Sequence, residues 1–391
     1  MSDNAPTLPD TPQTLGVLAG AGEYPRLMVE GAKRAGWRVV VAGFRGAVDK
    51  GLAELCDAFA LFRVGSVSGP RDFFRAHGVT HVVLTGQIKP ACIYTMWPDA
   101  DARRILAQLD RRNAHTIFGG VCEYVQDNGM EVLPSTSFME AAMPQEGQLA
   151  GPAPTERQIK EAELGFKHAC AIARLDIGQS LIMQGERVAC VEGYKGTNEC
   201  IEAGGYRDEP VTLCKLTKPG HDMRFDVPCI GVGTIKHAIR AKVGQIAFEA
   251  GRTILFQREQ VIELCNRHGI VLRAVELHQP ETADEHGAMG SDGEHAAYIA
   301  EALARQGIGQ TAVVCEGVVI AVEDTDGTEK CLKRAGAYMK RLRFVRIVNW
   351  LVALIMGRKS EPPKPMVLAG AKGWEPSEAT RRAARRAGES I

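Results

Sequence analysis

Over its first hundred or so residues the chain alternates short apolar runs with amphipathic stretches, and this alternation restricts the fold more than any other feature. Leu15-Gly-Val-Leu-Ala is an apolar strand running into Gly20-Ala-Gly22, with a helix expected from Arg26 to Ala35 and a strand from Trp37 to Phe44. Strand-like Ala58 to Val64, helix-like Pro70 to His77, strand-like Val79 to Thr85 and helix-like Ala102 to Leu109 continue the series. Strands separated by helices need crossovers, so they lie parallel in one sheet covered on both faces. The chain is therefore α/β and opens with a Rossmann-like parallel-sheet domain. Ligands of such sheets sit at the carboxyl ends of the strands, which singles out Gly20-Ala-Gly22 and Gly86-Gln87.

The first turn departs from the dinucleotide fingerprint. Pro25 stands where the third glycine belongs, and the second strand runs into Arg45 instead of an acid for the adenine ribose. What remains is a backbone cradle before a helix amino terminus, suited to a phosphate or polar head group. An NAD(P)-dependent oxidoreductase is accordingly the weaker reading.

A helix over Thr116 to Asp127 and Met130-Glu-Val-Leu-Pro precede a Pro- and Gly-rich stretch, Pro144 to Pro154, which reads as a boundary. Thr155-x-x-Gln158 has the form of a capping box, opening a helix to about Leu175. A hairpin from Asp176 to Glu192, a helix opening at Gly196-Thr197 and a strand Val211-Thr-Leu-Cys-Lys215 follow. Strands at Val227 to Val232, Ile246 to Leu255 and Ile270 to Val275, with helices at Ile235 to Arg240 and Arg258 to His268, complete a second α/β unit. The expected organisation is a tail at 1–14, the Rossmann-like domain at 15–143, a linker at 144–156 and a catalytic α/β domain at 157–278. A partial duplicate of 157–205 follows at 279–339, then an apolar and basic helix with a tail at 340–391.

The duplicate is visible as a repeat without gaps. Ala173-Arg174, Ile177-Gly-Gln, Val191-Glu, Gly196-Thr and Cys200 recur as Ala304-Arg305, Ile308-Gly-Gln, Val322-Glu, Gly327-Thr and Cys331. After Lys333-Arg-Ala-Gly the copy stops short, with no Lys-x-x-Lys-Pro and no Arg-x-Asp-x-Pro, so it is expected to lack the chemistry. It is expected to add strands or to cover an interface in place of a partner subunit.

Between Lys215 and Thr234 cations, acids and glycines crowd together, with Lys215, Lys218 and Arg224 beside Asp222 and Asp226. Such a loop suits a polyanion, with the acids left for a metal ion or an attacking water. Net charge is zero, so nothing draws the chain to nucleic acid as a whole. The eleven cysteines include no Cys-x-x-Cys pair and several sit in apolar runs, which fits small core residues in a reducing cytoplasm. His77 and His81 straddle Gly78, and no Gly-x-Ser-x-Gly occurs, so neither a histidine-rich metal centre nor a nucleophilic serine is indicated.

These residues together resemble a known family, the UDP-2,3-diacylglucosamine pyrophosphatases of the LpxI type, over about Leu15 to Glu276. The resemblance rests on Leu18-Ala-Gly-Ala-Gly-Glu-Tyr-Pro, Gly86-Gln87, Leu175-Asp-Ile-Gly-Gln, Val191-Glu before Gly196-Thr197, Lys215-x-x-Lys-Pro and Arg224-Phe-Asp-Val-Pro-x-Ile-Gly. It implies magnesium-dependent hydrolysis of a lipid-linked UDP-sugar to UMP and an acylated sugar 1-phosphate in lipid A synthesis. It also implies a cytoplasmic homodimer near the inner membrane. Asp226 matches the family's essential aspartate. Glu23, Gly86, Gln87, Val132, Gln179, Thr197, Cys214, Lys215, Leu216, Thr217 and Lys218 match positions that line the substrate. In this reading the glycine turns and the loop of cations and acids face each other across an interdomain cleft.

Within the resemblance, Lys215, Lys218 and Mg2+ would neutralise phosphate charge, and Asp226 would position water or hold the metal. Metal ligation is favoured, since a carboxylate beside a cation stays ionised and is a poor proton acceptor. The sequence departs from the family's pattern at Ala21, Gln87 and Ala114-His115, the last replacing an acidic pair. A non-catalytic UDP-sugar- or lipid-binding protein is the alternative. Arg341 to Lys359 has an uncharged core, Ile347 to Met356, too short to span a bilayer, and suits either a buried helix or a peripheral membrane anchor.

Overall fold

The computed structural model describes residues 13–88, 97–109, 114–175, 177–193, 196–218, 222–277, 291–315, 317–337, 366–371, 373, 375–387 and 389–390. Arg341 to Lys359, with its two readings, lies outside the described residues, as does most of the expected tail at 1–14. Contacts divide the chain into two units. Unit 1 holds residues 1–144 with 221–229 and 254–256, and unit 2 holds the remainder.

Unit 1 runs β1 (Thr14–Ala19), α1 (Tyr24–Arg34), β2 (Arg38–Phe44), β3 (Ala58–Phe62), α2 (Ser68–Ala76), β4 (His81–Thr85), α3 (Ala100–Gln108), α4 (Ala114–Asp127) and β5 (Glu131–Val132). Its sheet has the order β3-β2-β1-β4-β5, with every pairing parallel. Both faces of the inner strands β1, β2 and β4 are apolar because both are covered. Leu15, Val17 and Ala19 pack on Met28, Val29 and Ala32 of α1, while Leu18, Val40 and Val82 pack on Phe74 and Cys122. The chain winds outward from β1 through β2 to β3, then returns to place β4 on the other side of β1. The β1/β4 boundary is therefore the topological switch point, where the two strand ends leave a crevice.

One carboxylate ties two helix starts together. Asp99 caps α3, its Oδ1 accepting from Ala102 N at 2.8 Å. Its Oδ2 takes Val67 N, Ser68 N and Ser68 Oγ at 2.9, 3.0 and 2.7 Å, at the start of α2. Burial pushes this carboxyl up, but the hydrogen bonds outweigh it and hold it below the usual carboxylate range. Asp99→Ala is expected to cost about 1–2 kcal/mol at pH 7, the scale of a lost cap. A depressed folded pKa contributes stability above the unfolded value that is lost as pH falls through the folded one. Urea unfolding of wild type and variant should therefore converge towards strongly acid pH, and a pH-independent gap would contradict the assignment.

Unit 2 runs β6 (Gly147–Ala150), α5 (Glu156–Arg174), β7 (Ser180–Gln184), β8 (Arg187–Val191), α6 (Thr197–Gly204), β9 (Val211–Lys215), β10 (Cys229–Ile230), α7 (Val232–Arg240), β11 (Val243–Glu249), β12 (Ile254–Leu255), α8 (Arg258–His268) and β13 (Val271–Val275). Of these, β12 and Cys229 of β10 belong to unit 1. The sheet order is β6-β13-β11-β9-β7-β8, parallel from β13 to β9 and antiparallel at β6, β7 and β8. The capping box is present, with Thr155 Oγ1 accepting from Gln158 N and Gln158 Oε1 accepting from Thr155 N.

Three expectations differ. The stretch read as a linker contains edge strand β6, paired with β13. Val227 to Val232 is not a strand except at β10, because Val227 and Cys229 pack into the unit 1 core. The strand expected at Ile246 to Leu255 ends at Glu249, where a turn with Gly251 at φ +66° breaks it.

Beyond β13 come α9 (Asp292–Arg305), β14 (Thr311–Cys315), β15 (Val318–Val322), a helix α10 over residues 328–337, β16 (Met366–Gly370), α11 (Glu378–Ala387) and β17 (Glu389–Ser390). The second sheet has the order β15-β14-β16-β17, which repeats β8-β7-β9-β11 strand for strand and sense for sense. The registers coincide, with Ser180 opposite Lys215 in β7/β9 and Thr311 opposite Gly370 in β14/β16. The Leu216 N bond to Gln179 O is matched by Ala371 N to Gln310 O. The copy thus continues past the point where the sequence repeat fades, and it carries glycine where the first copy carries Lys215.

Candidate active site

In unit 1 the two glycine turns are locked to each other at the switch point. Gly20 N donates to Thr85 O at 2.8 Å, Ala21 N to Gln87 O at 2.8 Å and Gln87 N to Ala21 O at 2.9 Å. Gly86 has φ +79°, and a Cβ on it would lie 2.7 Å from Ala21 O, so only glycine fits this crossing. Glu23 is the residue before α1, and its Oε2 is buried without a hydrogen-bond partner. Val132 is a buried residue of β5 paired with Val82.

Asp226 closes the turn Asp222 to Asp226, its N donating to Asp222 O at 3.2 Å. Ser135, 1% exposed, anchors that turn, with its Oγ donating to Leu84 O and set 2.6 Å from Arg224 O. Ser135 N donates to Met223 O at 2.7 Å. Tyr24 Oη in the first turn of α1 donates to Ser135 O, and Phe225 stacks on Phe118 at 6.0 Å. Asp226 is thereby borne on a turn tied to Leu84 in β4. Its side chain is exposed. Arg224 is engaged elsewhere, by Asp222 Oδ2 at 2.6 Å and Gln126 Oε1 at 2.9 Å.

Unit 2 gathers a second group. Lys215, 6% exposed at the end of β9, directs Nζ to Thr197 Oγ1 at 2.8 Å and Ser180 Oγ at 3.3 Å. Thr197 in turn donates to Glu192 Oε1 at 3.1 Å, and Glu192 Oε2 accepts from Gln179 N at 3.2 Å. Gln179 Oε1 is buried without a partner. Thr197 opens α6 behind Gly196 at φ +83°, with no side-chain hydrogen bond from its N-cap, so the amino terminus of the helix lies beside a buried ammonium. Cys214 and Leu216 are fully buried; Cys214 Sγ donates to Ala162 O, and burial pushes its thiol well up. These two offer only backbone to a ligand. Thr217 N donates to Glu249 Oε2 at 2.7 Å, and Lys218 follows it at the end of the described stretch.

The residues expected from sequence thus fall into two groups, Glu23, Gly86, Gln87, Val132 and Asp226 in unit 1 and the other seven in unit 2. Lys215 and Asp226, read together as one loop, belong to different units. Ser135 and Tyr24 were not foreseen, because they act on backbone carbonyls and leave no side-chain pattern. Ser180 was not foreseen either, although its counterpart Thr311 sits at the equivalent place in the repeat.

The LpxI N-terminal domain family matches residues 14–142, and the LpxI C-terminal domain family matches residues 145–273 and 279–349. The chain belongs to the LpxI family. It is 27% identical over 275 residues to the UDP-2,3-diacylglucosamine pyrophosphatase LpxI of Caulobacter vibrioides, a stretch covering 67% of this chain and 97% of that protein. Almost all of that relative is thus accounted for with a third of this LpxI-family chain left over. Two solved structures show slight likeness. The UDP-glucose 4-epimerase of Thermus thermophilus in complex with NAD has a TM-score of 0.23 at 18% identity, over 70% of this chain and 88% of that one. The ADP complex of N5-carboxyaminoimidazole ribonucleotide synthetase has a TM-score of 0.18 at 14% identity, over 47% and 39%. Neither bears on the fold or the site.

A magnesium ion fits the donor set of unit 1. Mg2+ is commonly held by one or two carboxylates with substrate phosphates and water completing its shell, and Asp226 is exposed while Glu23 carries a buried, unbonded oxygen. Among the described residues no group of three or more His, Cys, Asp or Glu is placed to hold a metal. The side chains of Ala114 and His115 lie outside the described residues. Among those described, no helix is long and apolar enough to cross a membrane.

Proposed function

We propose that this chain hydrolyses the diphosphate of UDP-2,3-diacylglucosamine to UMP and 2,3-diacylglucosamine 1-phosphate, a step of lipid A synthesis. Family membership and the activity named for the Caulobacter relative support the substrate. The structural observation that supports the reading is the anchoring of the Asp222–Asp226 turn by Ser135, which also bonds Leu84 O in β4, the strand that leads into the Gly20–Gly86 crossing. Such a cradle suits an anionic ligand, and a carboxylate near it suits a ligand that brings a cation.

In this reading Asp226 holds magnesium, with Glu23 as the second donor. Magnesium, when bound, supplies charge neutralisation on the phosphoryl oxygens and acidifies a water. Lys215 and the amino terminus of α6 neutralise further phosphate charge. Glu192 accepts the Thr197 proton, which turns the hydroxyl oxygen towards Lys215 and fixes the ammonium. Gly86 contributes backbone groups, Gln87 holds the crossing through its paired bonds to Ala21, and Gln179 and Thr217 shape the wall. The reaction would proceed in the cytoplasm, near the inner membrane that receives the acylated product.

The test is UMP release from the lipid-linked UDP-sugar in the presence of Mg2+. EDTA is expected to abolish it and added Mg2+ to restore it. Full turnover in excess chelator would remove magnesium from the proposal, and no UMP under any metal would remove the proposal itself.

A further inference from the structure

The two copies in unit 2 pack on one another reciprocally. Gly193, just past the first hairpin, lies against the second, since a Cβ there would be 3.0 Å from Ile320 O. Ile320 is the repeat-equivalent of Ala189. In the other direction Thr325, one residue past the equivalent of Gly193, donates its hydroxyl to Ala189 O at 3.5 Å. A patch that meets its own equivalent makes an isologous contact, the mark of a twofold axis. A cavity between the copies is lined by three equivalent pairs, Cys190 with Ala321, Val191 with Val322 and Ala203 with Arg334. Equivalent residues meet in one cavity when the axis passes through it. The apolar cores are continuous across this face, with Ala169 and Ile172 of α5 in one cluster with Ile299 and Leu303 of α9.

We infer that the second copy occupies, within one chain, the place that a second chain would take across this face of an unduplicated relative. The chain is a fused pseudo-dimer of its own C-terminal half, with one member chemically equipped and the other not. The second member keeps the carboxylate cradle, Glu323 accepting from Gln310 N at 3.2 Å and Thr311 Oγ1 at 2.8 Å. It has Gly370 opposite Thr311, where the first member sets Lys215 opposite Ser180.

The face also discriminates between the two members. In the second, buried Asp324 pairs with partly buried Arg334 at 2.8 Å beside the cavity, where the first has Gly193 and Ala203. Two first members facing each other would leave that space unfilled, and two second members would crowd it with two ion pairs. Arg207 of the first member meets Asp326 of the second at 3.1 Å, which gives the unlike pairing a further contact. None of this depends on the catalytic reading.

The experiment uses the full chain carrying Arg207→Lys, treated with a carbodiimide that joins an amine to a carboxylate within contact distance. Lys330, 3.3 Å from Asp326 Oδ2 within the second member, supplies an internal control. The expected result is a link between the peptides containing position 207 and Asp326, recovered from the single-chain band of a denaturing gel and absent when Asp326→Asn is added. Recovery of that link only from a band of twice the mass would show that the face is filled by another chain and overturn the inference. Formation of the Lys330 link without the link at position 207 would overturn it equally.

Discussion

Asp226→Asn is expected to leave the protein folded and to lower UMP release by a hundredfold to ten-thousandfold, the range associated with single groups acting on the reacting atoms. The substitution keeps the size of the side chain and removes its charge. The side chain is exposed, while the turn that bears it is held through the backbone, by Ser135 on Arg224 O and Met223 O. The unfolding midpoint should therefore stay near wild type, the change in stability amounting to no more than about 0.5 kcal/mol. Substrate affinity measured without metal should change little. Turnover within a few-fold of wild type would remove Asp226 from the chemistry. A large fall in stability would show instead that the carboxylate is structural.

Arg334→Ala should act on stability and not on chemistry. Asp324 is 4% exposed, and its carboxyl is pushed up by burial even with Arg334 beside it. Truncating the arginine leaves that carboxylate buried without its ion pair, a change that typically costs about 3–5 kcal/mol. The sign of the pH dependence follows from the raised folded pKa. Such a carboxyl is tolerated while protonated, so its contribution is favourable below the unfolded value and is lost as pH rises through the folded one. The penalty of Arg334→Ala should be largest near neutrality and shrink as pH falls through the raised pKa. Adding Asp324→Asn to Arg334→Ala should recover much of the loss, because the uncompensated charge is gone. A loss below about 1 kcal/mol in urea unfolding at pH 7 would contradict a buried, coupled pair.

Regular elements were legible from sequence where one residue pattern governed one element. The α5 start was readable because Thr155 and Gln158 satisfy each other locally. Strands β1, β2 and β4 of unit 1 were readable because both faces are buried, which makes each one a nearly continuous apolar run. The pattern failed where an apolar residue served something other than its own strand. Val227 and Cys229 look like strand residues but pack into the core of unit 1. The repeat faded for a different reason: residues 338–365 separate α10 from β16, so the partner strand of β14 no longer falls at a constant offset. Backbone registry reveals it, through Thr311 opposite Gly370.

The candidate site's residues left unequal traces in the sequence. Gly86 and Gly20 are required by a close backbone crossing, a demand that glycine alone meets and that a sequence therefore displays. Glu192 stood in the motif before Gly196-Thr197, and its recurrence as Glu323 reflects the same bond to a strand-opening N–H in both copies. Ser135 and Tyr24 gave no signal, since any hydroxyl near a carbonyl looks alike in sequence. Nor does proximity along the chain report which unit a residue joins, as Lys215 and Asp226 illustrate.

The most direct measurement of the central claim is product analysis of purified full-length protein incubated with UDP-2,3-diacylglucosamine and Mg2+. Cleavage of the diphosphate predicts UMP and diacylglucosamine 1-phosphate in equal amounts, with no UDP, and at least a hundredfold slower release of both from Asp226→Asn. Release of UDP with the free sugar, or recovery of intact substrate bound to an inert protein, would contradict it.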